Sequence, residues 1–222
     1  MEISVIIPAL NEAADIRAAV LSALQAAEVI VVDGGSTDDT VGEALLSGAR
    51  VIKTARGRGG QMDAGALQAK GEALLFLHAD TLLPEGWRDG VLAALGDKRV
   101  VGGAFRLSVS AKGSRFRLLE AGANMRASVL GLIYGDQAIF ARKEDFLNSG
   151  GFRKLPLMED VDCVRRLRQY GRVVLLKESV ATSSRRWAKR GVLRNALRNL
   201  FILALYYAGM KPERLYSYYY KN

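Results

Sequence analysis

The sequence predicts an α/β fold in which helices flank a mostly parallel central sheet. Along the first half of the chain, short apolar runs alternate with segments that carry apolar residues at helical spacing. The links between these segments are short, which is typical of β-α-β units. Half of the 222 residues are apolar, so the chain can bury a sizeable core.

The first half supplies the regular elements. Apolar runs bounded by turn residues predict strands at residues 3–7, 29–32, 51–53 and 73–77. Helices are predicted at residues 12–27, 38–46 and 61–70, with another opening at Pro84. Asn11 is placed to cap the first of these helices, and Gly48 and Gly71 are placed to end the next two.

The second half is less regular. A strand is predicted at residues 100–109, where Gly102 and Gly103 indicate a bulge. Further predicted elements are helices at 114–130 and 160–170, strands at 138–141 and 173–176, and one long helix at 188–208. No linker rich in proline or serine divides the chain. We therefore expect one domain over residues 1–222, built from a sheet-forming half (1–99), a less regular half (100–187) and a basic C-terminal helix and tail (188–222).

Charge is distributed unevenly along the chain. Residues 163–222 hold 14 Lys or Arg and 2 Asp or Glu, a net +12, whereas residues 1–162 hold 18 and 21, a net −3. The basic part suits an anionic partner, such as phosphate groups, a membrane surface or nucleic acid, although a solvated basic helix explains it equally well. The single cysteine, Cys163, excludes an internal disulfide and fits a reducing compartment. Because the N-terminus lacks the pattern of a signal peptide, we expect a cytoplasmic protein.

Two apolar strands end in carboxylates. Asp33 follows the run VIVV, and Asp80 follows the run LLFLHA. The carboxyl ends of parallel strands meet at one edge of a sheet, where ligands bind in open α/β folds. A carboxylate there is costly unless a cation meets it, and a divalent metal at Asp80 is the simplest one. Residues 8–12 (PALNE) lie at the same edge, so the crevice suits a nucleotide; the alternative for Asp33 is that it only begins a turn.

Two further segments carry candidate chemistry. The glycine-rich basic loop at residues 56–61 can hold phosphate oxygens, or it can be an ordinary surface loop. The acidic group at residues 158–162 opens a helix, where acids are favoured by the helix dipole. Its alternative role is that of a general base whose pKa is raised by neighbouring carboxylates. His78 either bonds a main-chain carbonyl at the edge of the core or contacts a metal or phosphate.

Taken in order, these segments resemble family 2 glycosyltransferases of the GT-A fold, an α/β/α sandwich with an irregular acceptor-side half. Within that family the resemblance is to the small bacterial subgroup associated with radical-SAM genes. The matching segments are SVIIPALNE (4–12), VVDGGSTDDT (31–40), GRGGQMDAG (57–65), LLFLHADTLLP (74–84), YGDQAIFARK (134–143), MEDVDCVRRL (158–167) and SRRW (184–187). They span nearly the whole chain, and their order and spacing are more specific than any one of them.

The resemblance implies an inverting hexosyltransferase that moves a sugar from a UDP- or GDP-linked donor to an acceptor hydroxyl, assisted by Mg²⁺ or Mn²⁺. Asp160 falls on the second acid of the family's E-D motif and would be the catalytic base. Asp80 falls on the last position of the D-x-D motif and would bind the metal. The nucleotide sugar would be bound by Pro8, Ala9, Glu12, Asp33, Arg58, Gln61, His78, Ala79, Asp80 and Arg186. The acceptor side would hold Gly135, Asp136, Glu159 and Trp187.

The chain departs from the family pattern at three places. His78 stands where the D-x-D motif has its first acid, which leaves one carboxylate for the metal. Ser183 replaces the glutamine of the Q-x-x-R-W motif that ends in Arg186 and Trp187, so processive synthesis is not expected. Asp63 stands where relatives often carry asparagine.

Two other functions compete with this one. A sugar-phosphate nucleotidyltransferase would use a similar sheet and a metal, but it would be expected to carry a G-x-G-x-R loop after the first strand, where this chain has PALNE. A degenerate, non-catalytic module that binds nucleotide or membrane is the second alternative. The retained acids Asp33, Asp80 and Asp160 count against it.

The predicted helix at 188–208 has basic residues in its first half and an apolar run at 200–208, which is too short to span a bilayer. A basic amphipathic helix can lie on a membrane, and a lipid-linked acceptor would give that contact a purpose. A homodimer contact or packing on the domain core are the alternatives. The expected partners are a nucleotide sugar, an unidentified acceptor and the inner face of the membrane, where the protein would be peripheral, and not a nucleic acid.

Overall fold

A computed structural model describes residues 1–185 and 191–221 and confirms the α/β fold. Its strands are β1 (Ile3–Ala9), β2 (Glu28–Asp33), β3 (Arg50–Lys53), β4 (Ala73–Phe76), β5 (Thr81–Leu82), β6 (Val100–Val109), β7 (Ile139–Arg142) and β8 (Arg172–Thr182). Its helices are α1 (Ile16–Ser22), α2 (Thr40–Leu46), α3 (Arg58–Gln68), α4 (Trp87–Gly96), α5 (Ser114–Leu130), α6 (Lys143–Asn148), α7 (Glu159–Leu167), α8 (Val192–Tyr207) and α9 (Pro212–Lys221). A 3₁₀ turn at Gly135–Gln137 precedes β7.

The described strands form one sheet in the order β3-β2-β1-β4-β7-β6-β8-β5. The first four are parallel, and β7 enters antiparallel to β4. The register pairs Ala9 with Asp33 at the ends of β1 and β2, and Ile6 with Phe76 at the end of β4. The three carboxyl ends therefore lie side by side, as the sequence predicts.

Successive residues of a strand point to opposite faces of the sheet, so the strands contribute apolar side chains to two cores, one on each face. On one face Val5 and Ile7 pack with α1 and α4, where Trp87 is fully buried. On the other face Ile6 packs with α3 and α7. There the ring of Phe76 lies 4.7 Å from that of Phe152 in an edge-on contact. Helices on both faces of one sheet give the predicted α/β/α sandwich.

The C-terminal part differs in detail from the prediction. The described helix runs from Val192 to Tyr207 and ends before Gly209, whose φ of +88° is left-handed. A further helix, α9, follows it, and the sequence analysis does not predict that helix. Leu203 and Leu215 of these helices pack on Met158 and Val161 at the start of α7. Among the described residues, no helix is both long and apolar enough to cross a bilayer.

Candidate active site

The carboxyl ends of β1 and β2, with the loops that follow them, form what we call the strand-end wall (residues 8–12 and 33–40). Asp33 is 2% exposed, and its carboxylate accepts the main-chain N–H groups of Gly35 and Ser36 at 3.2 and 3.0 Å. Asp33 therefore begins a turn, which is the alternative that the sequence leaves open. Its contact with a nucleotide base stays a prediction, while Pro8 and Ala9 lie beside it on β1.

The two loops of the strand-end wall are joined by hydrogen bonds. The side-chain oxygen of Asn11, a residue with a left-handed φ of +55°, accepts the N–H of Thr37 at 2.8 Å. In return, the hydroxyl of Ser36 accepts the N–H of Asn11 at 2.9 Å. The Thr40 hydroxyl accepts the N–H of Glu12 at 2.8 Å. These reciprocal bonds fix one loop against the other before any ligand binds.

The chain returns to this wall after β8. Arg185 pairs with the Glu12 carboxylate at 3.2 Å and also contacts Asp15. The sequence analysis does not single out Arg185. The predicted residues Arg186 and Trp187 lie outside the described residues.

The basic loop leads into α3, whose first turn reaches both sides of the crevice. Gln61 is 4% exposed, and its amide nitrogen donates to the carbonyls of Ala9 and Val32 at 2.9 and 2.8 Å. Its side chain therefore holds the ends of β1 and β2 together, and its contact with the nucleotide sugar stays a prediction. Arg58 pairs with the buried carboxylate of Glu159 at the start of α7.

The segment after β4 reaches the second side of the crevice. His78 and Ala79 are buried, and Asp80 is half-buried, with its carbonyl accepting the N–H of Ser183 at 2.9 Å. Gly135 lies against this segment, because a Cβ added there would fall 2.9 Å from His78 Nε2 and 3.3 Å from an Asp160 carboxylate oxygen. Only glycine allows His78 and Asp160 to approach the same point.

Asp160 belongs to what we call the α7 wall, formed by residues 134–137 and the first turn of α7. Met158, with a left-handed φ of +67°, turns the chain into the helix. One oxygen of Asp160 accepts the N–H of Gly135 at 2.7 Å, and the other accepts its neighbour Val161 N–H at 2.8 Å. A carboxylate has about four lone-pair sites and these two bonds use two of them, so the side chain is oriented and its oxygens have the capacity to accept further hydrogen bonds.

The acids of the 158–162 group have different environments. Burial raises the pKa of Glu159, opposed by Arg58 and reinforced by the Asp160 carboxylate. Asp162 bonds Arg166 at 2.9 Å, and Arg166 also donates to the carbonyls of Ser149 and Gly151. The three acids therefore differ: Glu159 is paired with Arg58, and Asp160 is oriented by main-chain amides. Asp162 is paired with Arg166, which ties α7 to the main chain of Ser149 and Gly151. The sequence analysis does not single out Arg166.

Within residues 1–185 and 191–221, no three His, Cys, Asp or Glu side chains are grouped closely enough to hold a metal ion by themselves. Asp80 lies at the open edge of the sheet with an oxygen donor set of the kind that Mg²⁺ and Mn²⁺ prefer. The residues present thus fit a metal that takes most of its ligands from a bound molecule. Asp136, predicted on the acceptor side, follows Gly135 in the α7 wall and is half-buried.

Residues 4–153 match glycosyl transferase family 2. The match ends before Asp160 and includes the strand-end wall, the α3 loop and the segment after β4. Among curated proteins, the chain is similar to the glucosyl-3-phosphoglycerate synthase of Mycobacterium tuberculosis, with 34% identity over 96 residues. That similarity covers 37% of this chain and 30% of the relative's length.

Solved structures share the fold over most of the chain. The M. tuberculosis glucosyl-3-phosphoglycerate synthase in complex with phosphoglyceric acid has a TM-score of 0.64 at 22% identity, covering 90% of this chain and 78% of that one. The mannosyltransferase PcManGT from Pyrobaculum calidifontis, in complex with GDP-Man and Mn²⁺, has a TM-score of 0.66 at 20% identity, covering 90% and 62%. S. aureus TarS 1–349 in complex with UDP-GlcNAc has a TM-score of 0.64 at 18% identity, covering 83% and 59%.

Proposed function

The chain belongs to glycosyl transferase family 2, and we propose that it transfers a sugar from a UDP- or GDP-linked donor to an acceptor hydroxyl. One observation carries the proposal: Asp160 is held by the Gly135 amide at the end of the crevice that the strand-end wall and Asp80 open. The similar structures support the donor class, since they were solved with UDP-GlcNAc or GDP-Man. The glycosyl transferase match also favours this function over a nucleotidyltransferase.

We propose an inverting, single displacement. Asp160 takes the proton of the acceptor hydroxyl, and the hydroxyl oxygen then forms a bond to the anomeric carbon. The bond from that carbon to the diphosphate breaks, and its electron pair leaves with the diphosphate. A single oriented base on one side of the crevice supports one displacement, because a double displacement would need a second group as nucleophile.

A divalent metal would stabilise the diphosphate leaving group of this reaction. Asp80 and the oxygens of the diphosphate would hold Mg²⁺ or Mn²⁺, which would supply charge stabilisation to the leaving group. The similar structures solved with Mg²⁺ and UDP, and with GDP-Man and Mn²⁺, support this assignment. Arg58 already pairs with Glu159, yet its side chain is 37% exposed, so it can also face the diphosphate.

Product analysis tests the proposal. The full chain is incubated with UDP- and GDP-linked sugars and Mn²⁺, and the nucleotide product is identified. A glycosyltransferase releases a nucleoside diphosphate, whereas a nucleotidyltransferase, tested in a parallel reaction with added pyrophosphate, converts the same donor into a nucleoside triphosphate and a sugar 1-phosphate. Calorimetric titration with UDP or GDP, with and without Mn²⁺, tests the remaining alternative, a non-catalytic module that binds nucleotide or membrane. Absence of both nucleotide binding and turnover would contradict the proposal.

We further propose that the protein is peripheral on the cytoplasmic face of a membrane. Helices α5 and α8 pack together, and both turn an apolar stripe at helical spacing towards solvent. The side chains of these stripes are 52% to 73% exposed, and they are Leu118, Met125, Val129, Leu130, Leu197, Leu200, Phe201 and Tyr207. We call this surface the α5–α8 face.

Charge decides which partner suits the α5–α8 face. Exposed basic residues lie near the ends of both helices, and they are Lys112, Arg194, Lys211, Arg214 and Arg168, whose guanidinium lies against Gly131 at the end of α5. An anionic bilayer attracts such a rim, whereas in a two-fold dimer the same rim faces itself. The face continues into the cluster that packs Met158 next to Asp160, so a lipid-linked acceptor could reach the base from it.

Vesicle flotation tests the membrane contact. We expect the protein to float with vesicles of phosphatidylcholine and phosphatidylglycerol and not with phosphatidylcholine alone. The double variant Met125→Glu, Phe201→Glu should stay at the bottom of the gradient, because it places two charges on the apolar stripe. Leu46→Glu, at an 81% exposed leucine on α2, is the matched control and should float. Equal flotation of all three proteins, or a dimer that the double variant dissociates, would contradict the proposal.

A further inference from the structure

Arg126 on α5 is a buried cation without a counter-ion in the described part of the chain. The residue is 9% exposed, and its Nη1 is buried with no hydrogen-bond partner there. Its guanidinium carbon lies 3.5 Å from the centre of the Tyr134 ring, so the planar group is stacked and its orientation is fixed. Arg166, the other buried arginine among the described residues, is by contrast bonded to Asp162 and to two carbonyls.

Tyr134 adds a second unsatisfied donor at the same place. Its hydroxyl is also buried, and no described residue meets it at hydrogen-bond distance and angle, although the Arg126 guanidinium lies close enough to interact with it. Burial raises the pKa of Tyr134 to about 12; Arg126 opposes the shift, and the carboxylates of Asp160 and Asp136 reinforce it. The phenol therefore keeps its proton at neutral pH and can donate it in a hydrogen bond.

This pair lies beside the base. Tyr134 directly precedes Gly135, whose N–H is bonded to Asp160 at 2.7 Å. The ring of Tyr134 packs in the cluster that contains Met158, two residues before Asp160. Arg126 and Tyr134 therefore lie beside Asp160, where a group of the acceptor would come close to the base.

We propose that Arg126 and Tyr134 form an anion subsite that binds a phosphate or carboxylate group of the acceptor. A buried guanidinium with no partner is unfavourable, and an oxyanion would supply both the missing charge and the missing hydrogen-bond acceptors. The fork of the guanidinium matches the geometry of these anions, and the Tyr134 hydroxyl can bond a further oxygen. The subsite depends on the proposed function in one respect: the bound anion is assigned to the acceptor of the sugar transfer. That acceptor would be either a soluble phosphorylated acid or a lipid phosphate.

Thermal unfolding with inorganic phosphate as the probe tests the subsite, with chloride keeping the ionic strength constant. A ligand that binds only the folded state raises its stability in proportion to its occupancy. Phosphate should therefore raise the melting temperature of the wild type. The rise should disappear in Arg126→Leu, and it should be reduced in Arg126→Lys, which keeps the charge but loses the fork, and in Tyr134→Phe.

Arg115→Leu is the matched control, because Arg115 lies on the same helix, stacks on the Phe116 ring at 5.2 Å and is exposed. Its response to phosphate should equal that of the wild type. Without phosphate, Arg126→Leu should melt no lower than the wild type, since it removes an unpaired buried charge. A purely structural Arg126 would instead melt lower on substitution and leave the phosphate response intact, and that result would overturn the proposal.

Two further measurements separate this proposal from the enzymatic one. Titration with UDP and Mn²⁺ should give the same affinity in the wild type and in Arg126→Leu, which also shows that the variant is folded. If UDP does not bind but the Arg126-dependent phosphate response remains, the donor assignment fails and the subsite stands. Glycerol phosphate and dodecyl phosphate then identify the source: a stronger Arg126-dependent response to one of them assigns the subsite to a soluble or to a lipid acceptor.

Discussion

The strand-end wall and the α7 wall are joined through α3, whose Gln61 bonds Ala9 of the first and whose Arg58 pairs with Glu159 of the second, yet different interactions hold them. In the strand-end wall, the side chains of Asn11, Ser36 and the buried Asp33 satisfy main-chain N–H groups through hydrogen bonds. In the α7 wall, buried carboxylates pair with arginines instead: Glu159 with Arg58, and Asp162 with Arg166. The first wall is thus complete as it stands, whereas the second holds charges that a reaction or a ligand can use.

The largest expected effect of this difference is on catalysis. Asp160→Asn should lower the rate of transfer by about 10²–10⁴-fold, because it removes the base. The asparagine oxygen can still accept one of the two main-chain N–H groups that orient the side chain, those of Gly135 and Val161, whereas its amide nitrogen cannot accept the other. Steady-state kinetics with a competent donor and acceptor measures the loss. UDP affinity should not change, since the strand-end wall is untouched. Near-full activity in a folded Asp160→Asn protein would show that the α7 wall does not supply the base.

The next effect compares the stabilities of the two walls. Asp162→Asn leaves the buried Arg166 without its counter-ion and should destabilise the fold by about 3–5 kcal/mol. Gln61→Ala removes the two hydrogen bonds to the carbonyls of Ala9 and Val32, of which the Ala9 carbonyl still accepts the N–H of Gly34, and it should cost about 1–3 kcal/mol. Urea unfolding gives both values. Equal losses would mean that charge plays no special part in holding the α7 wall.

Much of the strand-end wall can be predicted from sequence, and the α7 wall much less. Parallel register alone brings Asp33 next to Ala9, because local patterns identify β1 and β2 and their order. No local pattern shows that Gln61 turns inward to two carbonyls or that Asp162 pairs with Arg166 while Asp160 does not. Those outcomes depend on contacts between segments far apart in the chain, such as the contact of Arg58 with Glu159. In the sequence, nothing distinguishes Arg126 from the other basic residues of its helix.

Gly135→Ala should disturb the point where the two sides of the crevice meet. The new methyl group would lie 2.9 Å from His78 Nε2 and 3.3 Å from an Asp160 oxygen, so at least one of these groups must move. A displacement of about 1 Å in a catalytic group costs of the order of 10²-fold in rate. Gly122→Ala is the matched control, because a Cβ there meets no atom within 4 Å. If both variants transfer sugar equally well, His78 and Asp160 do not need their observed positions.

The smallest expected effect is a pH dependence of stability that originates in the α7 wall. Burial raises the pKa of Glu159 in the folded state, so the folded protein holds this proton more tightly than the unfolded chain does. The resulting stabilisation is complete below the unfolded pKa of about 4.3 and is lost as the pH rises through the folded value. Glu159→Gln should remove this decline while leaving Arg58, which is 37% exposed, to be solvated by water.

Melting temperatures of the wild type and Glu159→Gln across that acidic range measure the difference between the two curves. A wild-type curve that falls with rising pH more steeply than the variant's curve would show that burial outweighs the ion pair with Arg58. The opposite slope would mean that Arg58 dominates, because a carboxylate with a lowered pKa gains stability as the pH rises. The Glu159 carboxylate would then be compensated by Arg58, as Asp162 is by Arg166, whereas Asp160 accepts main-chain N–H groups and would remain the acid assigned to the proton transfer.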